Sequence, residues 1–351
     1  MSRSVYILDC TLRDGGLGLE DAYKNKLSTK SFSTKDNDRI IDILNKTNLD
    51  IIELGSIEIS SEDKTGFAIY QNVEGLSLKI PQKRNKNSIY VGLFRGPDTP
   101  LEDVPEWNPS LVDGLRVIIR YSELDKSLDF CAGLSKKGYK VFVQPMLTMR
   151  YTDEEINKII EKSNEMNAYA LYFVDSYGYM QPDDVFRLFY KYDKSLNKGI
   201  KIGFHAHNNM NMAYSNALSF ISIDTNRELI CDSCAIGMGQ GAGNLQTELI
   251  AFKLNEMQEN KYNYDKILDI CDIIEPYMGE TVWGYSVTRL LPALYKTAYK
   301  YSISLRKHYG LSYSQINSIL SNIPEELRHR YTPENTVQLL KNAGLSTKRV
   351  H

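Results

Sequence analysis

Eight short apolar segments in the first 240 residues constrain the fold of this chain more than any other feature of its sequence. Each is nearly continuous in apolar character and does not alternate with polar residues. This pattern is expected of parallel β-strands that are buried on both faces. The segments cover residues 5–10, 50–55, 89–94, 115–120, 140–146, 170–175, 201–207 and 229–237.

Most of the segments between these strands have the spacing of apolar residues that is typical of amphipathic helices. Residues 33–48 are one example; residues 152–167 begin at Thr152, an N-cap candidate, and residues 182–196 begin with a proline. Eight strands alternating with helices predict an α/β fold, a (β/α)8 TIM barrel. A doubly wound sheet is the alternative, but no glycine-rich phosphate-binding turn follows the first strand.

The last quarter of the chain has a different character. Tyrosines, lysines and helix-forming residues dominate residues 285–302, and two further short helices are predicted within residues 312–324 and 332–344. We therefore expect a TIM-barrel catalytic domain over residues 1–274, followed by a helical C-terminal region over residues 275–351.

Bulk composition excludes several classes of function. The formal net charge is −2, which gives no reason to expect a nucleic-acid or membrane partner. The N-terminus does not resemble a signal peptide, and five cysteines, an odd number, indicate free thiols in a reducing, cytoplasmic compartment. Cys231 and Cys234 form a C-x-x-C pattern, but residues three apart on a strand point to opposite faces, so we interpret them as structural thiols.

Polar residues cluster where the predicted strands end, and in TIM barrels the chemistry lies at that end. Strand 1 leads into Arg13 and Asp14, strand 7 carries His205 and His207, and a glycine-rich segment over residues 237–244 follows strand 8. The other polar residues at strand ends are Asp9, Thr11, Glu53, Arg120, Gln144, Asp175, Ser176 and Asn208.

His205 and His207 are two residues apart on a strand and therefore share a face. They form either a hydrogen-bonded pair or part of a metal site. Asp14, at the end of strand 1, would complete a set of one carboxylate and two imidazoles that suits Mn²⁺, Mg²⁺, Zn²⁺ or Co²⁺. Asn244 is either a further oxygen ligand or an ordinary turn residue. Arg13 forms either a surface salt bridge or a positive charge beside a developing oxyanion.

Three motifs together resemble the metal-dependent aldolase and lyase superfamily, which includes 4-hydroxy-2-oxovalerate aldolase, hydroxymethylglutaryl-CoA lyase and the isopropylmalate and citramalate synthases. They are LDCTLRDGG (residues 8–16), HAHNN (205–209) and GMGQGAGN (237–244). The segment VDSYGYMQPDDV (174–185) is most similar to the aldolase branch.

The resemblance implies roles for individual residues. Asp14, His205 and His207 would bind the divalent metal, Mn²⁺ or Mg²⁺ before Zn²⁺ or Co²⁺, and Asn244 is a further ligand in some branches. Arg13 would stabilise an enolate oxygen, and Ser176 would contact the carboxylate of a 2-oxo acid.

One position departs from the family pattern. The aldolases carry an acid–base histidine three residues after the motif aspartate, and this chain has Leu17 there. The candidates for proton transfer are then Tyr177, Tyr179, a metal-bound water, the substrate itself, or His308 if the C-terminal region folds over the mouth of the barrel.

Three functions remain open at this point. The first is an aldolase or lyase acting on a 2-oxo acid and an aldehyde. The second is a condensing acyltransferase that joins an acyl-CoA to a 2-oxo acid, and the third is a non-catalytic barrel subunit. We expect small-molecule substrates and a homo-oligomer, by default a dimer; some aldolases of this type also have a dehydrogenase partner subunit.

Overall fold

A computed structural model describes residues 4–59, 64–278 and 283–350. Eight parallel strands form a closed barrel, in which each strand pairs with the next along the chain and the eighth pairs with the first. The predicted (β/α)8 fold is confirmed. The strands are β1 (Val5–Asp9), β2 (Ile51–Ile57), β3 (Ile89–Phe94), β4 (Gly114–Ile119), β5 (Lys140–Pro145), β6 (Ala170–Asp175), β7 (Lys201–Ala206) and β8 (Leu229–Ser233).

Fourteen α-helices are present in the described part of the chain. They are α1 (Thr11–Lys24), α2 (Thr34–Leu44), α3 (Val73–Ser77), α4 (Leu124–Lys136), α5 (Asp153–Glu165), α6 (Pro182–Ser195), α7 (Ala213–Ser222), α8 (Thr247–Met257), α9 (Tyr264–Ile274), α10 (Val287–Leu294), α11 (Lys300–Lys307), α12 (Tyr313–Ser321), α13 (Glu325–Arg328) and α14 (Pro333–Asn342). A two-residue strand, Ile69–Tyr70, also pairs with the end of β2.

The predicted helix starts agree with the structure. The Ser33 hydroxyl accepts a hydrogen bond from the backbone of Asp36 and caps α2, and Thr152 and Glu155 form a reciprocal capping box at α5. Pro182 occupies the first position of α6, where its missing N–H costs no hydrogen bond.

Most strand ends differ from the sequence prediction by one or two residues, and two differences, after β1 and at β8, affect the site. β1 ends at Asp9, and Arg13 and Asp14 lie in the first turn of α1, because the Asp9 carboxylate accepts hydrogen bonds from the backbone and hydroxyl of Thr11 and turns the chain there. β8 ends at Ser233, not at residue 237. A short 3-10 turn follows, in which Ile236 has a positive φ of 53° that no strand accommodates.

Two separate hydrophobic clusters lie in the described residues. The larger one fills the barrel and its layer of helices, including α9. The smaller one is built from α10, α11, α12 and α14, around Tyr301, Leu305, Ile316 and Leu340. The stretch of residues 285–302 contains α10 and the beginning of α11. The two helices are separated by a break at Lys296, which has a positive φ of 52°. The domain boundary at residues 274/275 stays a prediction.

All five cysteines are free thiols, and both members of the C-x-x-C pattern are buried. Cys231 lies within β8, whereas Cys234 lies just beyond its end, with its Sγ 3.2 Å from that of Cys10. Among the described residues, no helix combines the length and apolar character that a membrane span requires.

Candidate metal centre at the mouth of the barrel

A cavity of about 300 Å³ opens at the carboxyl ends of the barrel strands. Five of the nine site residues proposed from the sequence lie on its wall: Arg13, Asp14, Ser176, His205 and His207. Asn244 lies immediately behind Asp14. The remaining lining residues are Leu17, Leu93, Arg95, Ile118, Arg120, Gln144, Met146, Val174, Asn209, Gln240, Gly241 and Tyr299.

Asp14, His205 and His207 converge on one point of this cavity. Each offers one ligand atom, and these atoms all lie within 4.8 Å of one another. His205 Nε2 lies 3.8 Å from Asp14 Oδ2, and the two imidazole rings are 4.9 Å apart. One hard carboxylate and two imidazoles within this space have the composition of a divalent-metal site with open positions.

Each histidine is oriented by a hydrogen bond from its other nitrogen. His205 Nδ1 lies 2.9 Å from Asp232 Oδ2, and His207 Nδ1 lies 2.9 Å from the backbone oxygen of Asp175. A carbonyl can only accept, so Nδ1 of His207 carries the proton and Nε2 keeps its lone pair. Burial, with a contribution from His205, lowers the pKa of His207 to about 4, so its ring is neutral at pH 7, as metal ligation requires.

Asn244 contributes an unsatisfied acceptor to the same place. Its Nδ2 donates to Asp14 Oδ2 and, at 3.2 Å, to the backbone oxygen of Met238. Its Oδ1 is buried and has no hydrogen-bond partner, an arrangement that costs free energy unless a ligand meets it. Four groups therefore fit a divalent cation: Asn244 Oδ1, the Asp14 carboxylate and the imidazoles of His205 and His207.

Gly239 makes the close approach of this loop possible. Its φ is 155°, and a Cβ at this position would lie 2.3 Å from Asn244 Nδ2 and 2.9 Å from Asp14 Oδ2. Glycine at this position therefore allows the loop to pack directly against the proposed ligands Asn244 and Asp14.

A ring of buried charges continues from the ligands into the barrel. Arg13 Nη1 and Nε donate to Asp14 and Glu53, each at 2.7 Å. Arg116, which has no exposed surface, donates to Glu53 Oε2 at 2.8 Å and to Asp232 Oδ2. The three carboxylates of this ring exceed its two guanidiniums by one negative charge, which a bound cation would compensate.

This ring holds Asp14 in its ionised form. Burial alone would raise the pKa of Asp14, but the Arg13 guanidinium and the hydrogen bond from the Asn244 amide favour the carboxylate, and the pKa is lowered to about 2. Asp14 is therefore a carboxylate at neutral pH, whether or not a cation is bound.

Sequence reasoning missed Arg116 and Asp232 as part of the site. The available signal was a charged residue in the middle of an otherwise apolar strand, since such a residue must point inward and pair with an opposite charge.

Cys10, His205 and Asp232 also offer ligand atoms within 4.8 Å of one another. Burial raises the pKa of the Cys10 thiol well above its usual value, which disfavours the thiolate that metal binding requires.

The proposed proton carriers lie elsewhere than expected. Tyr177 and Tyr179 line a second cavity of about 240 Å³, and the Tyr177 hydroxyl contacts His329 Nδ1. Ser176 borders both cavities. His308 does not lie over the mouth: it caps the end of α11, beside a small surface cavity lined by Asn25 and Leu27, because α11 packs against the outer end of α1.

The C-terminal region reaches the mouth through Tyr299, which the sequence analysis did not single out. Tyr299 lines the cavity, as does Leu17, and its hydroxyl donates to Asp21 Oδ2 at 2.6 Å. Burial and the Asp21 carboxylate hold the pKa of Tyr299 well above its usual value. Tyr299 thus brings an ionisable side chain to the cavity that Leu17 lines without one.

Comparison with known proteins relates this chain to one family. Residues 121–275 match the HMGL-like family. The 4-hydroxy-2-oxovalerate aldolase of Pseudoalteromonas translucida is 27% identical over 320 residues, which cover 88% of each chain.

Two solved structures share the fold. The N-terminal domain of a proposed aldolase from Bacteroides vulgatus has a TM-score of 0.71 at 23% identity, covering 91% of this chain and all of that domain. The HMG-CoA lyase of Bacillus subtilis has a TM-score of 0.60 at 18% identity, covering 80% of this chain and 94% of the lyase. Residues 121–275 are therefore similar to the HMGL-like family, and most of the chain is similar in sequence to a 4-hydroxy-2-oxovalerate aldolase and in fold to these two structures.

Proposed function

We propose that this protein is a divalent-metal-dependent carbon–carbon lyase that acts through the enolate of a 2-oxo acid of the pyruvate type. The observation that carries the proposal is the convergence of Asp14, His205 and His207 beside Arg13 at the mouth of the barrel. Similarity to the 4-hydroxy-2-oxovalerate aldolases over most of the chain supports it.

Asp14, His205, His207 and Asn244 would hold the cation, for which we propose Mn²⁺ or Mg²⁺ before Zn²⁺ or Co²⁺. When bound, such an ion supplies Lewis-acid polarisation of the 2-oxo group. The protein's part is to orient the two imidazoles, through the carboxylate of Asp232 and the carbonyl of Asp175.

Arg13 and Ser176 would bind the oxygens of the 2-oxo acid. Arg13 uses Nε and Nη1 for Glu53 and Asp14, and this leaves Nη2 without a protein partner among the described residues. Its fixed positive charge can stabilise the oxygen on which the enolate charge develops. Ser176 Oγ accepts from the backbone of Leu147 at 2.8 Å, so its own hydroxyl proton can be donated to the carboxylate.

Tyr299 is the residue that we propose for proton transfer. Cleavage of the carbon–carbon bond requires removal of a proton from the alcohol of the departing aldehyde. Tyr299 Oη can accept that proton while it passes its own to Asp21 Oδ2, to which it is already hydrogen-bonded. Among the described cavity residues, Tyr299 is the one titratable group that is neither an arginine nor a proposed ligand.

A condensing acyltransferase is the alternative activity and would be distinguished by turnover with an acyl-CoA in place of an aldehyde. A non-catalytic barrel subunit would bind no metal. We also propose a cytoplasmic location, a homodimer and a dehydrogenase partner subunit.

Exchange of the methyl protons of pyruvate tests the proposed function, because it requires the enolate but no aldehyde. In D₂O with Mn²⁺, we expect deuterium uptake measured by mass spectrometry to exceed the buffer rate. Arg13→Ala should abolish this exchange and retain Mn²⁺ binding, whereas Arg187→Ala, on the exposed face of α6, should leave both unchanged. Exchange at the buffer rate with the wild-type protein would refute the pyruvate enolate.

A further inference from the structure

We propose that the wall of the cavity opposite the metal ligands binds an anionic group on the non-pyruvate half of the substrate. This proposal rests on the proposed function and defines its substrate class. His205 lies on β7, His207 lies directly after it, and Asp14 lies just beyond β1, so these three proposed ligands are on either side of β8, and Asn244 follows β8 itself. β4 faces β8 across an eight-stranded barrel, and Arg95, Arg120 and Gln144 lie at the ends of β3, β4 and β5.

Gln144 supplies the observation that points to a ligand. Its side chain lines the cavity and is 5% exposed, and its Nε2 is buried without a hydrogen-bond partner among the described residues. A buried amide donor that lacks an acceptor is unfavourable, and a ligand oxygen in the cavity would satisfy it.

Arg95 places an accessible positive charge on the same wall. Within the part of the chain that the structure describes, its Nη1 makes only long contacts, 3.5 Å to Glu20 and 3.4 Å to Glu58. Neither glutamate lines the cavity, where Asp14 is the sole carboxylate among the described residues. A substrate anion could therefore form an ion pair with the Arg95 guanidinium without displacing a strong existing pair.

Arg120 positions this wall. It is firmly paired with Asp98 and Glu123, and its Nε donates to the backbone oxygen of Arg95 at 3.2 Å. Gly96 makes room for this contact, since a Cβ there would lie 2.4 Å from the Arg120 guanidinium.

Five apolar residues line the same cavity as these polar groups: Leu17, Leu93, Ile118, Met146 and Val174. This arrangement matches a short substrate with a 2-oxo acid at one end, a hydrocarbon middle and an anion at the other end. The anion can be a carboxylate or a phosphate, which share the chemistry that guanidinium and amide donors recognise.

Binding measurements test the proposal independently of turnover. Calorimetric titration of the Mn²⁺-supplied protein compares 2-oxoglutarate with 2-oxovalerate, which has the same five-carbon backbone and a methyl group in place of the second carboxylate. We expect the wild-type protein to bind 2-oxoglutarate about tenfold more tightly or better. Arg95→Met and Gln144→Leu should each reduce that preference, and the surface control Arg187→Met should not. Equal affinity for the two acids in the wild-type protein would overturn the proposal.

Turnover distinguishes the two kinds of anion. Aldol addition of pyruvate to succinic semialdehyde, glyceraldehyde 3-phosphate and propanal should favour one of the charged aldehydes over propanal, and the preferred one identifies a carboxylate or a phosphate. Equal kcat/KM for all three, with normal exchange of pyruvate protons, would refute the anion site alone. Failure of exchange with a persisting preference for 2-oxoglutarate would instead refute the lyase and support the anion site.

Discussion

Substitution of Arg116 by methionine tests the buried ring of charges. Arg116 is fully buried, bridges Glu53 and Asp232, and lies 5.2 Å from the centre of the Tyr172 ring. Methionine preserves the unbranched stem and removes the charge. Glu53 keeps its pair with Arg13 and Asp232 keeps its hydrogen bond with His205, but each loses the Arg116 guanidinium. Removing one partner from a buried ionic network costs about 3–5 kcal/mol, a large part of the roughly 5–15 kcal/mol that stabilises a typical folded domain.

The assay is urea denaturation followed by circular dichroism. We expect Arg116→Met to lower the free energy of unfolding by about 3–5 kcal/mol. Arg187→Met, which removes an exposed pair with Asp184, should cost about 0.5 kcal/mol or less. The double variant Glu53→Gln/Arg116→Met should be less destabilised than the sum of its parts, because one stranded carboxylate has been neutralised. An Arg116→Met cost below about 1 kcal/mol would refute the reasoning.

Three further substitutions test individual parts of the site. Asn244→Ala removes the unpartnered Oδ1 and should weaken Mn²⁺ binding by about tenfold or more in a fluorescence or calorimetric titration; unchanged affinity would exclude Asn244 as a ligand. Gly239→Ala forces a Cβ against Asn244 and Asp14 and should lower both the melting temperature and the affinity for Mn²⁺, whereas Gly199→Ala, where a Cβ meets nothing within 4 Å, should do neither. Tyr299→Phe should slow aldol cleavage by about 10²-fold or more with Mn²⁺ affinity retained; full activity would assign proton transfer to another group.

Much of the barrel could be predicted from the sequence because its signals are local. Parallel strands buried on both faces produce continuous apolar runs, and helix starts such as Thr152 and Pro182 carry their own capping chemistry. The carboxyl ends of β1 and β8 were misplaced because apolar spacing does not report what ends these strands. At β1 the cause is the hydrogen bond between Thr11 and the Asp9 side chain, and after β8 it is the positive φ of Ile236.

The candidate site was predictable only in part for a similar reason. Asp14, His205 and His207 stand in short motifs, but Tyr299 meets Asp21 across 278 residues of sequence, and no periodicity encodes that contact. Arg116 was hidden within an apolar run whose strand character it does not disturb. His308 was a candidate on the condition that the C-terminal region folds over the mouth; that region contributes Tyr299 to the cavity, and His308 lies elsewhere.

Stoichiometric metal binding is the most direct test of the central claim. Titration of the metal-free protein with Mn²⁺, followed by electron paramagnetic resonance of the free ion, should show one site per chain. Asp14→Ala should abolish that site in a protein that remains folded by circular dichroism. A wild-type protein that binds no Mn²⁺, Mg²⁺, Zn²⁺ or Co²⁺, or binding that survives Asp14→Ala unchanged, would contradict the account.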